Sequence, residues 1–198
     1  ITGTLNITPS GGQYFGGVEG WGHHGFQIIY EGANNLPAVK IAGLKGGIIQ
    51  GMKVRIASGI TGATCFDIGT QNPADSTAGF TMMNCDAELG NGVNNQGYRL
   101  GEYAYSGADI SQIMFSNCMA WGGGVIDGDA VSGQYGWNVS GNNTLALTWS
   151  GGGAAHCKEG VRCDEGGSLY FFGFQGSGNE RDFYFSWGNT YVIHGGRW

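Results

Sequence analysis

Cleaving a glycosidic bond takes two carboxyl groups, about 5–5.5 Å apart for retention or about 6.5–9.5 Å apart for inversion. The chain offers Asp67 with Glu102, Asp127 with Asp129, and Asp164 with Glu165. Asp127-Gly128-Asp129 lies in the longest stretch between strand-like phrases, Gly122 to Gln134, and long loops are favoured hosts for sites. Asp-Gly-Asp is also ordinary turn chemistry, and Asp164-Glu165, just before Gly166-Gly167, read first as turn residues. A lyase would want a carboxylate-held Ca²⁺ beside a basic residue, and Arg99 or Arg162 near Asp67 is the arrangement closest to that. Asp67, Asp127 and Asp129 are therefore the candidate catalytic residues. His23, His24, His156 and His194 have no neighbour at ligand or triad spacing, so no metal or cofactor is expected. The Gly122–Gly124 and Gly151–Gly153 runs lack the Lys-Ser/Thr of a phosphate loop.

A second chemistry is binding without cleavage. Lys40, Asp67, Arg99, Asn138, Arg162 and Tyr184 each sit in the middle of an apolar-polar-apolar phrase: Val39-Lys40-Ile41, Phe66-Asp67-Ile68, Tyr98-Arg99-Leu100, Trp137-Asn138-Val139, Val161-Arg162-Cys163 and Phe183-Tyr184-Phe185. Alternation of this kind marks strands. The middle side chain then points away from the core. Stacked, these residues would form a ladder of hydrogen-bonding groups suited to a polysaccharide, or simply a solvated face with an Asp67–Arg99 surface ion pair. Trp121, Trp149 and Trp187 follow or end strands, where a ring can stay outside to stack on sugar, whereas Trp137 falls inside by register.

The elements that must hold these groups show up in composition. Of 198 residues, 41 are glycine, the net charge is −6, and 12% are charged, against about 25% in ordinary soluble domains. Interior glycine costs a helix roughly 1 kcal/mol relative to alanine, so a helical fold is excluded. Hydrophobic content of 41% with 13% aromatics excludes disorder. So few basic residues exclude a nucleic-acid partner, and no apolar run reaches the ~18 residues of a membrane span. Five cysteines, with no Cys-x-x-Cys, read as buried thiols; an oxidising compartment would allow a Cys157–Cys163 bridge.

The phrases recur with a minimum interval. Positions 41, 68, 100, 139, 163 and 185 are never closer than the 22 residues from 163 to 185, which describes a constant unit carrying variable loops. A second strand set is expected at Val54-Arg55-Ile56, Phe80-Thr81-Met82, Ile113-Met114-Phe115, Leu145-Ala146-Leu147, Leu169-Tyr170-Phe171 and Tyr191-Val192-Ile193. Met82-Met83-Asn84-Cys85 and Phe115-Ser116-Asn117-Cys118 set the register, placing Asn84 over Asn117 at a turn and Cys85 over Cys118 inside. The fold class is all-β, a solenoid of about six to seven coils. Residues 1–35 form a Gly-rich segment with strands at Thr4–Thr8 and Phe26–Ile28, and 36–198 form the coils, as an excerpt of a longer chain.

With this stacking, and with an Asn84/Asn117 pair like an asparagine ladder, residues 36–198 resemble the right-handed parallel β-helix, pectate-lyase-like superfamily. In style, including the closing Tyr191–Arg197 phrase, they are similar to phage tail spike and tail fibre proteins. The resemblance implies a structural, glycan-recognising module on a virion or in the extracellular space. Its partners would be a polysaccharide or cell-surface glycan, and a homotrimer or other virion proteins. Two other classes remain open: a polysaccharide lyase or glycoside hydrolase of the same fold, and an architectural or adhesive repeat protein.

Overall fold

The alternating phrases form strands that stack on one another rather than folding back. In the computed structural model, which describes residues 1–8, 17–19, 26–69, 76–102, 109–123, 130–141, 143–186 and 190–198, every strand pair is parallel. No helix occurs among the described residues. Sheet I stacks Leu5–Ile7, Pro37–Ala42, Thr64–Gly69, Gln96–Glu102, Tyr135–Val139, Glu159–Cys163 and Arg181–Phe185. Sheet II stacks Gly17–Glu19, Ile48–Gln50, Thr81–Met83, Met114–Ser116, Leu147–Ser150, Leu169–Phe172 and Tyr191–His194. Sheet III stacks Phe26–Tyr30, Met52–Ile56, Asp86–Glu88, Met119–Trp121, Gly153–Ala155 and Gln175–Ser177. A narrow corner sheet, Thr77–Ala78, Ile110–Ser111 and Thr144–Leu145, bridges I and II. The chain visits I, II and III in turn and returns one strand higher. This is an all-β parallel β-helix.

Like stacks on like inside. Ile41, Ile68, Leu100, Val139 and Cys163 are in register and fully buried. Beside them Phe66 stacks on Tyr98 at 5.0 Å between ring centres, and Tyr98 on Trp137 at 3.8 Å. From sheet II, Phe115, Trp149 and Phe171 form a second column at 5.2 and 4.4 Å. Burying each such side chain contributes about 1.5–3 kcal/mol. The Tyr98 hydroxyl donates to the Cys85 carbonyl (2.6 Å) and Trp137 Nε1 to the Gly153 carbonyl (3.0 Å), so both polar tips are satisfied inside.

The corners between sheets II and III are left-handed. Gly51, Asn84, Asn117, Gly151, Gly173 and Gly195 all have φ between 51° and 69°, a region only glycine and short amides visit routinely. Asn117 Nδ2 donates to Asn84 Oδ1 at 2.9 Å, as their stacking predicts. Cys85 and Cys118 are both buried, and all five cysteines are free thiols.

Three expectations fail, each for a local reason. Val54-Arg55-Ile56 belongs to sheet III rather than to the set containing Thr81–Met83 and Met114–Ser116, because each turn carries two similar short strands. Leu145-Ala146-Leu147 is not one strand: Ala146, at φ 52°, turns the corner between Thr144–Leu145 and Leu147–Ser150. The Trp149 ring is not outside but wholly buried, since its register partners Phe115 and Phe171 face inward.

Candidate functional site

Asn6, Lys40, Asp67, Arg99, Asn138, Arg162 and Tyr184 occupy one register row across all seven strands of sheet I. The interior stacking forces this row outward. The row is not a freely solvated face, because Asp67 is 0% exposed and Lys40, Arg99, Asn138, Arg162 and Tyr184 are half-buried. The Asp67–Arg99 pair is therefore no surface ion pair: Arg99 Nε donates to a fully buried Asp67 Oδ1 at 2.9 Å.

A second row lies alongside, which reading phrase by phrase missed. Thr64, Gln96, Tyr135, Glu159 and Arg181 are in register three residues before the ladder. Strict alternation would put the two rows on opposite faces. The strand Tyr135–Val139 instead has only Tyr135 and Asn138 partly exposed, with two successive residues, Gly136 and Trp137, buried between them, so the chain bends between the two rows. A Cβ on Gly97 would lie 2.5 Å from the Gly136 carbonyl oxygen, and one on Gly136 2.6 Å from that of Gly160. The signal was in the sequence as Gln96-Gly97-Tyr98-Arg99, Tyr135-Gly136-Trp137-Asn138 and Glu159-Gly160-Val161-Arg162.

The two rows interlock. Asn138 Nδ2 donates to Gln96 Oε1 at 3.0 Å. Arg162 donates to Asp164 (2.6 Å) and to Glu159 (3.2 Å), and Arg181 reaches Glu159 at 2.7 Å. Glu159, 1% exposed, thus sits between two guanidiniums. The Arg162 guanidinium lies 5.0 Å from the Tyr135 ring centre and 5.2 Å from that of Tyr184, and Arg181 lies 4.9 Å from Tyr184. Hydrogen bonding to the Asp164 carboxylate raises the Arg162 pKa further above its ordinary value, so its charge is permanent. Asp67 Oδ2 and Asn138 Oδ1 are buried with no hydrogen-bond partner, a desolvation cost built into the packed ladder.

Of the expected carboxylate pairs, only Asp164 with Glu165 lies wholly among the described residues. Asp67 and the buried carboxylate Glu159, which was not an expected partner, stand three strands apart, at least about 14 Å at ~4.8 Å per strand, beyond the range for glycoside cleavage. Asp164 turns to Arg162 and Ser186 while Glu165 is exposed. Among the described residues no three His, Cys, Asp or Glu side chains gather to hold a metal. Asp127, Asp129, Trp187, His23, His24 and the Glu102 side chain lie outside the described residues.

Trp121 does not belong to the ladder. It projects from sheet III, in the row Ile29, Arg55, Glu88, Trp121, Ala155 and Ser177. The chain matches no protein-family model, no curated protein and no solved structure.

Proposed function

We propose that this chain is a structural and glycan-recognition module on a parallel β-helix of the pectate-lyase-like kind, carried extracellularly by a surface appendage such as a virion tail spike or tail fibre. The observation that supports the reading is the two-row face of sheet I. Amide, carboxylate, guanidinium and phenol groups repeat there at the strand spacing of about 4.8 Å, over a length that matches an extended polymer rather than a small ligand. Tyr135 and Tyr184, held two strands apart by the Arg162 guanidinium between them, offer apolar rings beside charged donors, the mixture that a sugar's faces and hydroxyls require.

The same proposal makes the appendage a homotrimer, alone or with other virion proteins. Sheet II supports this part. From Ile48 to His194 its outward rows are Ile48, Thr81, Met114, Thr148, Tyr170 and Val192, and Gln50, Met83, Ser116, Ser150, Phe172 and His194, without one Lys, Arg, Asp or Glu. A charge-depleted face with exposed Met114 and Phe172 is suited to contact between copies.

The test is to follow retention and chain length together on a panel of bacterial and plant polysaccharides. Retention without shortening is expected, weakened in Arg162→Ala and Tyr184→Ala. Shortening of the retained chains would replace this reading by a lyase or hydrolase, and no retention of any polysaccharide would leave an architectural rod.

A further inference from the structure

A groove of about 260 Å³ opens on the outer face of sheet III, lined by Arg55, Glu88, Gly90, Trp121, Gly122 and Gly123. We propose that it is a separate binding site for one pyranose ring of a neutral sugar.

The platform is Trp121. Trp137 and Trp149 are fully buried in the stacked core, whereas the Trp121 indole is 40% exposed. On one side its register neighbour is Glu88, and on the other it is Ala155, too small to cover the ring. An indole open in this way offers a flat apolar surface to the C–H face of a pyranose.

Backbone forms the floor, and it cannot be filled in. A Cβ on Gly122 would lie 2.0 Å from the His156 carbonyl oxygen, and one on Gly123 1.7 Å from the Gly90 carbonyl oxygen. Side chains are excluded there by contact with neighbouring backbone, so the hollow beside the indole is maintained.

The wall supplies the polar half. Lys53 Nζ holds Glu88 Oε1 at 2.5 Å, and Arg55 Nε lies 3.7 Å from Glu88 Oε2. The carboxylate is thus oriented before any ligand arrives, with lone pairs to accept from sugar hydroxyls, while the guanidinium donates to hydroxyl oxygens. Charge selects the ligand class. Two cations around one carboxylate disfavour a cationic ligand on the indole, the alternative an exposed tryptophan beside a carboxylate would otherwise suggest. Of the residues lining the groove only Arg55 and Glu88 are charged, and their charges cancel, which leaves a neutral ring. The volume is below the range of about 300–1,000 Å³ usual for drug-sized ligands, which fits one ring and not a polymer.

No residue is shared with the sheet I ladder, so this inference and the polysaccharide reading fail separately. The test is saturation-transfer NMR on the intact chain with methyl β-glucopyranoside, methyl β-galactopyranoside and N-acetylglucosamine, with choline and glucuronate as charged probes. At least one neutral sugar is expected to show transfer to its ring-face protons, with choline and glucuronate showing none. Trp121→Ala should weaken the interaction at least about tenfold, the scale of removing one aromatic stacking platform. Trp121→Phe should retain it. The proposal is overturned if no neutral sugar shows transfer, if Trp121→Ala binds as wild type does, or if choline or glucuronate binds as well as the sugars.

Discussion

Asn117 carries two duties that can be separated. It holds φ 51° at a corner and donates to Asn84 at 2.9 Å. Alanine would lose the hydrogen bond, about 0.5–1.5 kcal/mol, and meet the left-handed penalty of about 1–2 kcal/mol. Glycine would lose only the hydrogen bond. Urea unfolding should therefore rank Asn117→Ala clearly below Asn117→Gly, and equal midpoints would refute the corner argument. The thiols give a second reading at this scale. Burial pushes the Cys157 thiol from 9.0 up to about 12 and raises Cys65 too. Burial also raises Cys118, while the hydrogen bond from Cys118 lowers its stacked partner Cys85. Above pH 9 the unfolded chain releases the Cys157 proton while the folded chain keeps it until about pH 12. Stability contributed by the neutral buried thiol is thus complete below pH 9 and lost as pH climbs towards 12. The slope should reach about 1.4 kcal/mol per pH unit for that thiol, and Cys157→Ser should flatten it. An unchanged slope in that variant would contradict the assignment.

At the scale of the element, the ladder depends on a second column behind it. Ala87, Ala120 and Ala154 are in register in sheet III and fully buried. They press against the glycines at the bend of sheet I: a Cβ on Gly97 would lie 3.0 Å from Ala120 Cβ, and one on Gly136 2.7 Å from Ala154 Cβ. Ala120→Leu should therefore cost about 1–3 kcal/mol by overpacking and weaken polysaccharide retention, since it displaces the bend that brings both rows to one face. Retention equal to wild type at reduced stability would separate the bend from the site. This column also explains what was legible. Sheets I and II announce themselves because Ile, Phe, Tyr and Trp alternate with polar residues, and their interior stacking sets the Lys40 to Tyr184 register without further information. Sheet III was invisible as a set, because Ala87, Ala120, Ala154 and Gly176 give no hydrophobic contrast. Without it, Trp121 could be recognised as exposed but not assigned to its own face. Glu159, Tyr135, Gln96 and Arg181 escaped for another reason: strict alternation sends them inward, and only the glycine after three of them reveals the bend.

At the scale of the whole molecule, parallel winding gives the chain faces of different character. Sheet I gathers Lys40, Arg99, Arg162 and Arg181, four of the nine Lys and Arg in a chain of net charge −6. Sheet II is uncharged along its outward rows from Ile48 to His194. The proposed trimer would form through the uncharged face. Light scattering should give three times the chain mass for the complete polypeptide and a smaller mass once Met114→Lys and Phe172→Glu place charges there; a monomer before substitution would contradict it. The claim on which the account depends is that a polysaccharide lies along sheet I. Backbone amide shifts, mapped by NMR while a retained polysaccharide is titrated, address it most directly. The account predicts changes running across the successive strands that carry Lys40, Asp67, Arg99, Asn138, Arg162 and Tyr184, with sheet II unmoved. Changes confined to sheet II or sheet III would contradict it.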